Sequence, residues 1–95
     1  MTKDEVFSTF KSLLVKSNLH DDPSLPAEKL KEIALDVEAR IHLTTPLNEL
    51  GLDSMTMTWI IVSFEQALNT DASGVSFFEL FDVNDLVTEI MKTIK

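Results

Sequence analysis

Apolar residues recur at three- and four-residue spacings from one end of this chain to the other. No run of five or more residues alternates apolar and polar as a half-buried strand does. That single period excludes sheet architectures and leaves a bundle of helices. Val6, Phe10, Leu13 and Leu14 form the first stripe, with Thr2 and Glu5 spaced as a capping box ahead of it, which predicts a helix over about 3–17. The stretch "HDDPSLP" then breaks the chain with two prolines. Pro26 suits the first position of a second helix, whose stripe of Leu30, Ile33, Ala34 and Val37 runs to about Arg40. Thr45-Pro46 opens a short turn, "TPLNEL", which Gly51 ends. A long helix from about Ser54 to Leu68 follows, then the loop "NTDASG". A second capping-box pattern, Ser76 and Glu79, marks the short apolar segment "FFELF". The last helix starts at Asp82 or Asn84 and turns Leu86, Val87, Ile90, Met91 and Ile94 inward.

At 95 residues the chain is expected to be one domain, 1–95, and its 44% hydrophobic content suits a packed core rather than a disordered segment. It has no cysteine, hence no disulfide, no thiolate metal site and no thiol nucleophile. If a thiol is needed, it must arrive on something else. The N-terminal "MTKDEVFSTF" lacks a signal pattern and the longest uninterrupted apolar run is Trp59–Val62, so a soluble, cytoplasmic protein without membrane insertion is expected.

The net charge of −8 is unevenly spread. Between residues 41 and 91 lie Glu49, Asp53, Glu65, Asp71, Glu79, Asp82, Asp85 and Glu89, and no lysine or arginine. Phosphate backbones are repelled by such a half, which argues against nucleic acid. Basic protein surfaces are attracted to it, although solubility alone is the plainer reading of the same charge.

The long central helix carries two stripes. Met57, Ile60, Ile61, Phe64 and Leu68 gather on one face, and Met55, Trp59 and Val62 on another roughly opposite. Either the helix has neighbours on both sides, or the second stripe is exposed and docks partners. At the mouth of this helix, "LGLDSM" places Ser54 without a nearby base. His42 is the closest histidine in sequence, and the segment is not a G-x-S-x-G elbow, so a serine nucleophile is not supported. No histidine or carboxylate spacing suits a metal, and Asp82, Asp85 and Glu89 read as a helix start and a solvated face. Asp53 and Ser54 are both good N-caps, which is the bland account. The sharper one is that a first-turn serine holds its oxygen where free amides and the helix dipole favour a phosphate, with Gly51 allowing the tight turn ahead of it.

"PLNELGLDSM" resembles the P-x-x-x-L-G-x-D-S-[LM] signature of acyl and peptidyl carrier proteins, and the likeness continues through the long helix, "FFELF" and "DVNDLVTEI", over roughly residues 41–95. The resemblance implies an all-α, acyl-carrier-like four-helix bundle. It implies that Ser54 carries 4′-phosphopantetheine, transferred from coenzyme A by a phosphopantetheinyl transferase, with Asp53 positioning the serine and the transferase's magnesium. Acyl groups would then ride on the arm's thiol as thioesters between acyl-loading and acyl-transferring or condensing enzymes. On this reading the protein is not itself an enzyme, and nothing demands more than a monomer.

Two features depart from the pattern. The central helix has Thr56 and Trp59 at outward positions where fatty-acid carriers present acids, its first acid being Glu65. Partner contact through Met55, Thr56, Trp59 and Val62 is therefore expected to be more apolar, as in carriers of polyketide, peptide or other specialised pathways, and a specialised lipid or polyketide-type pathway is the expected setting. The span before Ser54 is also long and holds an extra helix, 26–40. Either this helix sits in the first loop or it takes the first-helix role; the stronger core stripe of "DEVFSTFKSLLVKS" favours the first arrangement. The alternatives are a peptidyl or aminoacyl carrier and, from another class, an acidic helical adaptor without a prosthetic group.

Overall fold

In the computed structural model, which describes residues 2–76 and 79–94, the first helix begins where the capping box places it. The Glu5 amide donates to the Thr2 hydroxyl (3.2 Å) and the Thr2 amide to the Glu5 carboxylate (3.0 Å). Helix α1 (Lys3–Asp21) then runs one turn beyond the expected end at Ser17. The polar run that suggested a stop is absorbed locally, because Ser17 Oγ and Asn18 Nδ2 both donate to the Leu14 carbonyl (2.7 and 3.0 Å). The chain leaves the helix only at Asp22, the residue ahead of Pro23, where a helical conformation is sterically disfavoured. Helix α2 (Ala27–Arg40) follows, with Pro26 extended at the N-cap rather than at the first helical position.

A 3₁₀ turn, Leu47–Leu50, leads to Gly51 in the left-handed region (φ 65°), a conformation that costs other residues most. Helix α3 (Ser54–Leu68) is capped by Asp53 and ends on Asn69, also left-handed (φ 51°). Helix α4 (Val83–Thr93) starts at an Asp82–Asp85 capping box. Phe77 and Phe78 of the short apolar segment lie outside the described residues. Of the capping box expected there, the described contact is a turn in which the Glu79 amide donates to the Ser76 carbonyl (3.3 Å).

Helix α1 packs against each of the other three helices. It buries Val6, Phe10, Leu13, Leu14 and Ser17, and Phe10 stacks on Phe64 of α3 with ring centroids 6.3 Å apart and planes within 3°. Val83, Leu86, Val87 and Ile90 of α4 close the core. Helix α2 buries only Val37 and rests mainly on α1, where Lys11 pairs with Glu38 (3.0 Å). Helix α1 thus makes the contacts that join the other three helices, and α2 lies in the long connection between α1 and α3.

The connection before α3 is tied to the start of α4. An isolated antiparallel bridge joins Pro46 to Asp82. The Leu47 amide donates to the Phe81 carbonyl (2.9 Å), Val83 to Thr45 (3.0 Å) and Asn84 to Leu43 (2.8 Å). These bonds hold the "LGLD" turn, and so the start of α3, against the far end of the chain.

Candidate functional site

Ser54 is the first residue of α3 and is exposed. Ahead of it, the Asp53 carboxylate accepts the Thr56 amide at 2.7 Å. This bond, with a smaller contribution from the Thr56 side chain, holds the Asp53 carboxyl below the usual aspartate range. One turn on, Thr58 Oγ1 donates to the Ser54 carbonyl (2.8 Å). The serine therefore stands on a braced first turn with its side chain toward solvent.

One of the amides that this turn was expected to offer a phosphate is already in use. Asp53 takes the Thr56 amide itself, so the positive helix end already faces a carboxylate. An anion on Ser54 would share this end of the helix with a negative neighbour.

Three hollows surround the turn. The largest, about 680 Å³, lies between α1, α2 and the "LGLD" turn and is lined by Asn18, Asp21, Arg40, Asp53 and Thr56 among others. An apolar groove of about 330 Å³ is lined by Leu47, Asn48, Leu52, Asp53, Ser54, Met57, Thr58 and Leu80. A shallow hollow of about 340 Å³ is bounded by Ser54, Met55, Thr58 and Trp59 alone. Neither histidine lines a hollow that Ser54 lines. Among the described residues, no group of three or more His, Asp or Glu comes together to hold a metal.

The second stripe of α3 divides. Met55 is 80% exposed and Val62 45% exposed, whereas Trp59 between them is partly buried against the core and stacked on His20 of α1, with centroids 5.2 Å apart. Thr56 does not share this face. It lies in the α1–α2 cleft, because the additional turn of α1 and the end of α2 stand over that side of the helix. Thr58, which the sequence reading passed over, lines both hollows beside Ser54. Its i, i+4 spacing from Ser54 was the available signal. Leu80 and His20 carried no such signal, since only tertiary packing brings them to α3.

A family model described as "Phosphopantetheine attachment site" matches residues 28–90. The chain belongs to that family. No curated protein and no solved structure matches it. The matched segment begins inside α2 and ends inside α4, so α1 lies outside it although α1 supplies much of the core. Family members hold covalently attached 4′-phosphopantetheine and are non-catalytic; this chain is accordingly a phosphopantetheine-carrying carrier protein and not an enzyme. Its partners are a phosphopantetheinyl transferase and biosynthetic enzymes. Among the described residues, no helix is long and apolar enough to cross a membrane.

Proposed function

We propose that Ser54 is the attachment point and that the chain carries acyl intermediates as thioesters in a specialised lipid or polyketide-type pathway, as a cytoplasmic monomer. The observation that carries this reading is the exposed Ser54 hydroxyl on a turn braced from both sides, by the Asp53 cap ahead and by the Thr58 bond behind, within the segment that matches the family. The surroundings suit the group: the serine is open to a modifying enzyme, and two hollows beside it leave room for a flexible chain. When bound, the arm supplies the thiol that a cysteine-free chain lacks. Ser54 contributes the phosphodiester oxygen, and Asp53 keeps the first turn wound and presents an ionised carboxylate next to it.

Acyl cargo is supported by the apolar groove of Leu47, Leu52, Met57 and Leu80, which offers an alkyl group shelter from water within reach of the attachment point. Met55 and Val62, with the open edge of Trp59, form the partner face, in a half of the chain (residues 41–91) whose charged side chains are all acidic. Thr56, expected on that face, is assigned to the α1–α2 cleft instead.

The test is incubation with coenzyme A and a promiscuous phosphopantetheinyl transferase. Intact mass rises by one phosphopantetheine in wild type and stays unchanged in Ser54→Ala. A rise in both variants removes Ser54 from the reading, and no rise in either supports a bare adaptor. Loading of the modified protein by acyl-transferring rather than adenylating enzymes separates acyl from peptidyl or aminoacyl cargo.

A further inference from the structure

Ser54 stands between two hollows of unlike character, and either could receive the arm of the unloaded carrier. The apolar groove has Asp53 in its wall, as does the α1–α2 cleft. The shallow hollow is bounded by Ser54, Met55, Thr58 and Trp59 and contains no acid. A phosphodiester on the serine oxygen carries a negative charge within one residue of the Asp53 carboxylate. Like charges that close turn the phosphate away from Asp53, around the helix toward Met55 and Thr58. Helix geometry agrees: Met55 and Thr58 lie about 100° and 40° to one side of Ser54 around the axis of α3, and neither of them lines the α1–α2 cleft that Asp53 lines.

The same hollow has a firm wall. Trp59 is packed against the core, and the imidazole of His20 stacks on its ring at 5.2 Å with planes 26° apart. His20 comes from the turn of α1 that runs past Ser17, so an element outside the family-matched segment holds a residue that borders the attachment serine. The indole is thereby kept in one orientation instead of swinging over the serine or into solvent.

We propose that the Met55–Thr58–Trp59 hollow is the resting seat of the unloaded phosphopantetheine arm, and that His20 is a positioning residue which fixes its Trp59 wall. The inference rests on attachment at Ser54. The ligand chemistry matches: next to its phosphate the arm carries a branched, apolar dimethyl carbon, which suits contact with Met55 and an indole. Tethering adds the advantage of a high local concentration, so a shallow surface suffices where a free ligand would need a deep pocket. An apolar cargo at the far end of the arm still has the deeper groove on the Asp53 side, and Thr58, common to both hollows, marks the ridge between them.

Trp59 is the only tryptophan in the chain, so its fluorescence reads this hollow directly. Apo protein is converted to the holo form with coenzyme A and a transferase, and intact mass establishes the modification independently. The expected result is a blue shift of Trp59 emission, weaker quenching by acrylamide, and displaced resonances for the indole N–H and the Met55 methyl, with Met57 and Leu80 methyls unmoved. His20→Ala accepts the arm but loses most of the emission shift, and His20→Phe, which keeps a stacking ring, restores it. Full modification with an unchanged Trp59 and Met55 overturns the seat while leaving Ser54 attachment standing. Movement of Met57 and Leu80 instead places the arm in the groove and overturns it equally. An undiminished shift in His20→Ala overturns the positioning role. A chain that never gains the arm overturns the attachment reading, and the seat with it.

Discussion

Truncations at three positions of α3 test how the helix divides between core and surface. Phe64 is fully buried and stacked on Phe10, Trp59 is partly buried, and Met55 is 80% exposed. Removing a fully buried aromatic side chain costs about 3–5 kcal/mol, so Phe64→Ala falls in that range. Trp59 keeps an open edge toward the hollow and loses correspondingly less, about 2–3 kcal/mol, including its stack on His20. Met55→Ala stays within about 0.5 kcal/mol of wild type. For a domain of this size each kcal/mol moves the midpoint by roughly 4–8 °C, so the three variants separate clearly. Thermal unfolding followed by far-UV circular dichroism is the assay, since Trp59→Ala removes the only tryptophan. A Trp59→Ala loss as small as that of Met55→Ala refutes the packing of Trp59 against the core and His20. A Met55→Ala loss comparable to Phe64→Ala refutes the exposed stripe. If the ladder holds, Met55→Glu is the cleaner probe of the partner face, because it alters the surface without the packing loss that Trp59→Glu entails.

Three further outcomes follow from the same geometry. Gly51→Val is expected to cost about 1–2 kcal/mol, because the strain comes from φ alone and an added Cβ meets nothing within 4 Å; Gly51→Asn, tolerated in the left-handed region, costs less by urea midpoint. Asp53 titrates below an ordinary aspartate in the folded state, so its contribution is fully present above about pH 4 and is lost as pH falls through its depressed folded value. Asp53→Asn keeps the cap without the charge, and the stability gap to wild type is expected to close on acidification; a gap that widens toward low pH contradicts the assigned sign. A double-mutant cycle of His20→Ala and Trp59→Ala is expected to give a coupling of about 0.5–1.5 kcal/mol, and additivity would deny the stack.

The boundaries of α3 were legible in the sequence because Asp53 is a strong cap and the apolar period begins at once behind it. Gly51 announced its turn for a similar reason, since its left-handed backbone is a local preference. The end of α1 was not legible. "SNLHDD" has weak helix propensity, and the extra turn persists through bonds from Ser17 and Asn18 to Leu14 and through contact of His20 with another helix. Thr56 was misplaced because periodicity fixes angles around an axis but does not say which angle a neighbouring helix will cover.

Residue type and spacing along the chain were enough to determine an all-helical domain, the start of the central helix and the serine that heads it, since caps, turns and amphipathic stripes are interactions over four or five residues. Tertiary structure decided what surrounds that serine. Leu80 reaches the groove only because the Pro46–Asp82 bridge folds the start of α4 onto the "LGLD" turn, and His20 reaches Trp59 only because α1 crosses α3. Contacts between residues some 26 and 39 positions apart depend on how helices pack, and no local pattern encodes that choice.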